Sequence, residues 1–111
     1  RQGDDKAMAQ FVDDLVGNKI GAVIFLNCNP VYDHPRGKEI AEALKNVSVS
    51  VSTSYKEEET GLMVKYLAPD HHYLESWNDA EIKKNHFSLG QPAITPIFKT
   101  RAVGESFMVW A

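Results

Sequence analysis

Three stretches hold residues whose types and spacing suit chemistry. Asn27-Cys28-Asn29-Pro30 closes one apolar run, Ser52-Thr53-Ser54 closes a second, and Asp70-His71-His72 with Glu75 follows a third. Small polar groups beside helix N-termini are suited to a nucleotide or phosphate. The same residue types also dominate turns and caps, which is their plain structural reading. His71 and Glu75 stand at i and i+4, so on a helix starting after Pro69 they would share a face and co-ligate zinc. A third ligand would have to come from His34 or His86. The spacing matches no zinc signature, so hydrogen-bonded histidines are the better reading and no metal is expected. The single cysteine, Cys28, cannot form an internal disulfide, a multi-thiolate zinc site or an iron–sulfur cluster. At the end of an apolar strand it reads as a small core residue rather than a nucleophile. There is no GxGxxG, no P-loop and no GxSxG elbow, and no residue is assigned a catalytic role.

The elements that must position these residues follow from the hydrophobic pattern. Residues 4–16 carry Met8, Phe11, Val12, Leu15 and Val16 in a helical stripe, with Asp4 and Asp5 at the start and Gly17-Asn18 as the stop. The run Ala22 to Leu26, with Ile20 just before Gly21, is bounded by Gly and by Asn-Pro and reads as a strand buried on both faces, central in its sheet. Pro30 and Pro35 forbid a helix running through the turn from Asn27 to Gly37. A second helix fits 36–46, with Ile40, Ala41 and Leu44 inward. Val47, Val49 and Val51 alternate with serines, which predicts a strand nearer the sheet edge. Ser54 with Glu57 forms a capping-box pattern ahead of a helix over 56–65, and a short strand over 65–68 ends at Pro69. Beyond it, 70–90 shows no clear period, 93–98 is an edge strand at best, and 101–110 fits a final helix with Val103, Phe107 and Trp110 on one face.

The order helix, strand, helix, strand, helix, strand predicts one α/β domain over 1–111. Its sheet is small, parallel and three-layered, Rossmann- or flavodoxin-like, with helices on both faces and an irregular C-terminal extension. In such a sheet the three strand-end loops emerge on one edge. That edge would gather Asn27, Asn29, Ser52, Ser54, Asp70, His71, His72 and Glu75. A net charge of −3 with dispersed basic residues argues against nucleic acid or an anionic membrane surface as partner. No apolar run approaches the ~20 residues of a membrane span, and there is no signal-peptide pattern. A chain that begins at Arg1 is expected to be a processed product or part of something longer.

Three strings carry a resemblance to a known family: NCNPVYDHP, EEETGLMVKYLAPDHHYLESWNDAE and SLGQPAITPIF. Together they resemble the molybdopterin oxidoreductases of the dimethyl-sulfoxide-reductase type. In that family a strand ends in Gly-x-Asn-Pro, a later helix opens with Glu-Thr-Ala, and an Ala-Asp-x-x-Leu-Pro strand precedes a loop carrying Glu. Asn29-Pro30, Glu59-Thr60, Pro69 and Glu75 match this pattern. Asn27 stands in place of Gly, Gly61 in place of Ala, Val64-Lys65 in place of Ala-Asp, and Ala68 in place of Leu. The string PDHHYLESWNDAE is closer to one branch, the iron–sulfur, molybdopterin-oxidoreductase-like large subunit of bacterial alternative complex III.

The resemblance, which runs over roughly 18–110, implies a domain of a quinol:electron-acceptor oxidoreductase on the periplasmic face of the inner membrane. The domain would support electron transfer and make contacts with other parent domains and with subunits of a membrane-bound respiratory complex. Iron–sulfur clusters would lie elsewhere in the parent, and this piece alone would have no redox activity. Tyr73, Glu75 and Trp77 are the expected interface, since large amphipathic rings beside charges compose contact surfaces. The alternative is a working domain that binds molybdopterin guanine dinucleotide. Its family-equivalent positions are Asn27, Asn29, Pro30, Ser52, Ser54, Glu59 and Thr60. A third reading is a free-standing ligand-binding or signalling module of flavodoxin-like shape.

Overall fold

The computed structural model describes residues 3–111, and the chain divides into two compact units, Arg1–Leu67 and Ala68–Ala111. The first unit begins with α1, Asp5–Val16. Asp4 caps it, its side chain accepting from the Ala7 N–H at 3.0 Å. The helix stops at Gly17, and the left-handed residue that turns the chain is Asn18, with φ 55°. Three strands follow in order: β1 (Ala22–Phe25), β2 (Val49–Ser52) and β3 (Tyr66–Leu67). Between them lie α2 (Pro30–Asp33), α3 (Gly37–Leu44) and α4 (Glu59–Met63). The sheet is parallel throughout, as expected, so the unit is a small α/β arrangement.

The strand order is β1-β2-β3, which corrects two expectations. β1 is an edge strand, not the central one, and it is buried on one face only. Phe25 enters the core with Val12 and Leu15 of α1, Ile40, Ala43 and Leu44 of α3, and Val47. Ile24 and Leu26 point the other way and are exposed. The middle strand is β2, the alternating one. Register pairs Val23 with Ser50 and Phe25 with Ser52, so the serines share the face that α1 and α3 cover. They are buried because they are small and hydrogen-bonded. Ser50 Oγ accepts from Lys65 N at 2.9 Å, and Ser52 Oγ from Ser54 N at 3.3 Å.

Two helix starts also differ from expectation. α2 is a single turn inside the Pro30–Pro35 segment. Pro30 opens it at a position where the missing N–H costs nothing, and Asn29 O accepts from both Tyr32 N and Asp33 N. The capping box fails. Ser54 Oγ accepts from Lys56 N two residues on, closing its own turn, and α4 starts later, at Glu59.

The second unit is more regular than its sequence suggests. β4 (Asn78–Lys83) and β5 (His86–Gly90) form an antiparallel hairpin turning at Asn85, whose φ is 66°. No strand forms over 93–98 among the described residues. The final helix, α5 (Val103–Trp110), forms as expected, with Phe107 and Trp110 in edge-to-face contact at 5.8 Å.

One glycine is fixed by space. A Cβ at Gly37 would lie 2.0 Å from the Val31 carbonyl oxygen, where α3 starts against α2. Gly37→Ala must push backbone apart and is expected to cost about 1–3 kcal/mol in urea unfolding. Gly21→Ala meets nothing within 4 Å and serves as the near-neutral control. Equal midpoints for the two variants would remove the steric account.

Candidate functional site

The best-built polar cluster lies where β1 gives way to α2. Asn29 Oδ1 accepts from Thr60 N at 3.0 Å and from Thr60 Oγ1 at 2.7 Å. Asn29 Nδ2 donates to Glu59 Oε2 at 2.8 Å. The Thr60 hydroxyl, having donated to Asn29, accepts from Val31 N at 3.0 Å. Thr60 is 1% exposed and Pro30 is buried behind the turn. One carboxamide thereby ties the first residues of α2 to the first residues of α4. Glu59 carries its charge at the α4 N-terminus, where the dipole favours it. The Asn29 N–H and its own backbone N–H hold the Glu59 carboxyl below the ordinary value.

Asn27 sits at the turn itself with φ 48°. That is the left-handed region, which glycine and asparagine enter most readily. Thr53 N donates to Phe25 O at 3.0 Å, which keeps the Ser52–Ser54 loop beside the end of β1. Ser52, Thr53 and Ser54 are all buried. Cys28 is exposed, so the core reading of this residue is corrected. With Met8, Phe11, Phe25 and Pro30 it lines an open, mainly apolar cleft of ≈ 390 Å³ beside the edge strand.

Asp70, His71, His72 and Glu75 belong to the second unit and have their own partners there. Asp70 Oδ1 accepts from His71 N at 2.7 Å and from Val103 N at 2.8 Å, capping α5. His71 Nδ1 pairs with Thr100 Oγ1. Glu75, only 9% exposed, accepts from Ile97 N through Oε1 and from His72 N through Oε2, both at 3.0 Å. The helix that would have set His71 and Glu75 on one face does not form. No group of three or more His, Cys, Asp or Glu among the described residues is arranged to hold a metal ion. Of the expected interface residues, Tyr73 and Trp77 are 66% and 64% exposed, whereas Glu75 is an internal staple.

The Asn29 cluster predicts a defined energetic pattern. Asn29→Ala strands the buried Thr60 hydroxyl and N–H and is expected to cost about 1–3 kcal/mol in urea unfolding. Asn29→Asp keeps the acceptor but faces Glu59 with a second carboxylate, so adding Glu59→Gln should restore part of the loss. An Asn29→Ala midpoint equal to wild type would remove the cluster's structural role.

Glu75 predicts a pH dependence. The Ile97 and His72 N–H groups hold its carboxyl below the ordinary 4.5, and the nearby histidines add to this. A carboxyl depressed by folding stabilises above its unfolded value, and the gain is lost as pH falls through the folded value. Protection of the Ile97 and His72 amides from hydrogen exchange is expected to fall below about pH 4.5. In Glu75→Gln it should start lower and vary less with pH.

No family model matches this chain, and no curated protein does.

Proposed function

We propose that the chain is an α/β domain of a molybdopterin-oxidoreductase-like subunit in a quinol:electron-acceptor oxidoreductase of the alternative-complex-III type. Its part is to support the electron-transfer module and to contact neighbouring domains and subunits. Iron–sulfur clusters elsewhere in the parent carry the electrons. The finer fold reading, a three-layer Rossmann- or flavodoxin-like domain, belongs to the same proposal, as does a place on the periplasmic face of the bacterial inner membrane. No helix among the described residues is long and apolar enough to cross a membrane.

The observation that carries this reading is the meeting of Asn29-Pro30 with Glu59-Thr60. These two pairs are the motif residues of the resemblance, and they lie about thirty positions apart in sequence. The Asn29 side chain is bonded to both Glu59 and Thr60, with Thr60 buried and Glu59 at the surface. That favours a supporting domain over the alternative, in which the same positions offer donors to a pterin dinucleotide. Contact through the second unit is supported by the exposure of Tyr73 and Trp77.

The test is Tyr73→Ala with Trp77→Ala. The thermal midpoint of the isolated chain should stay within a few degrees of wild type, because exposed rings contribute little to folding. Recovery of the parent's partner subunits in a pull-down should fall. Unfolding of the isolated double variant would make the rings structural and end the interface reading. Full recovery of the partners would end it as well.

A further inference from the structure

The second unit holds a small cleft that the proposed function does not use. It measures ≈ 240 Å³ and is lined by Ala68 and Pro69 on one segment, by Lys99, Thr100 and Arg101 on a second, and by Ser106 and Trp110 of α5. Lys99 and Arg101 bring two positive charges to it, and neither forms an ion pair among the described residues. Trp110 is fixed by its edge contact with Phe107. The nearest acid on the same segment, Asp70, is turned to Val103 N and His71 N. It already occupies the α5 N-terminus, so that helix end does not supply the attraction. Glu105 lies on α5 and is exposed.

Ser106 gives the second, independent observation. It is 7% exposed, and its hydroxyl has no hydrogen-bond partner. No fully sealed side-chain oxygen or nitrogen among the described residues lacks a partner, so the Ser106 oxygen keeps a small exposed area, and Ser106 lines the cleft. With no protein partner, that hydroxyl is free to donate to a group in the cleft. Two free cations with a hydroxyl donor form the usual donor set for a tetrahedral oxyanion, with Arg supplying a planar fork and Lys a point charge.

We infer that this cleft is a binding site for a phosphate group. Lys99 and Arg101 neutralise it, and Ser106 donates the hydrogen bond that orients it. The group is either free phosphate or the phosphate of a nucleotide whose ring lies against Trp110.

The experiment titrates the ¹⁵N-labelled 111-residue chain with inorganic phosphate at low ionic strength and follows amide shifts. Saturable shifts confined to 99–101 and the first turns of α5 are expected. Arg101→Gln should weaken binding by roughly tenfold or more, and Ser106→Ala by a smaller factor, with circular dichroism unchanged. Lys83→Gln, on the hairpin, should leave the affinity as it is. Non-saturating shifts, shifts spread over the surface, or an equal loss in Lys83→Gln would overturn the site and leave only diffuse charge attraction. Repeating the titration with adenosine monophosphate distinguishes the two sources. Tighter binding with quenching of Trp110 emission, checked against Trp77→Phe, assigns a nucleotide. Equal binding without quenching assigns free phosphate.

Discussion

One asparagine side chain decides how the first unit closes. Without Asn29, the bond from Val31 N to Thr60 Oγ1 would be left to join the turn after β1 to the start of α4. The ion pairs of the unit are a poor substitute. Arg36 bridges Asp13 at 2.7 Å and Glu39 at 2.8 Å, but every partner is at least a third exposed. Pairs of that kind contribute about 0–1 kcal/mol each. The Asn29–Thr60 bonds are shielded, and leaving their buried groups unmet costs about 1–3 kcal/mol each. The polar lock therefore outweighs the surface charges. It also explains why Pro30 is tolerated, because the turn it opens needs no N–H from residue 30.

The apolar surface the described residues leave uncovered sets a second constraint. The core of the first unit rests on a few fully buried side chains, chiefly Val12, Leu15, Ile40 and Leu44. Each is worth about 1.5–3 kcal/mol relative to exposure. In the second unit, Ile82, Phe87 and Leu89 on the hairpin are 80%, 69% and 78% exposed. A two-stranded hairpin without a covered face is marginal in water. Scattered apolar residues on a surface need no explanation, but Phe87 and Leu89 share one face of the hairpin, paired with Glu81 and Asp79, and Ile24, with Leu26 just past the strand, leaves the open face of β1 apolar.

How far the sequence could be read follows from the same physics. The parallel pairing came from the alternating order of helices and strands, and α1, α3 and α5 came from apolar periodicity, which reports which face is buried. Periodicity does not report what buries it. The run from Ala22 to Leu26 has apolar residues on both faces whether the second face meets a helix of this unit or stays open. The serines of β2 look like a solvated face because hydroxyls usually are. Ser50 and Ser52 are buried because Lys65 N and Ser54 N reach them, and these partners lie beyond the strand's own pattern. The hairpin was legible in principle, since Ala80 and Ile82 alternate toward Asn85, and Phe87 and Leu89 away from it. The lock at Asn29 was half legible. Its residues stood out as motif positions, but their purpose appeared only when the thirty-residue loop was closed.

Two residues near the strand ends, Asn27 and Lys65, are set by the demands of the local backbone. Asn27 has a φ of 48°: the position asks for a left-handed residue, and asparagine is the side chain that enters that region at least cost. Lys65 Nζ donates to Ser48 O at 3.2 Å and its backbone N–H to Ser50 Oγ at 2.9 Å, so the charge is directed back along the start of β2. A carboxylate at 65 could not donate to that carbonyl. Both residues thus hold the backbone course at the strand ends, one through its conformation and the other through its hydrogen bonds.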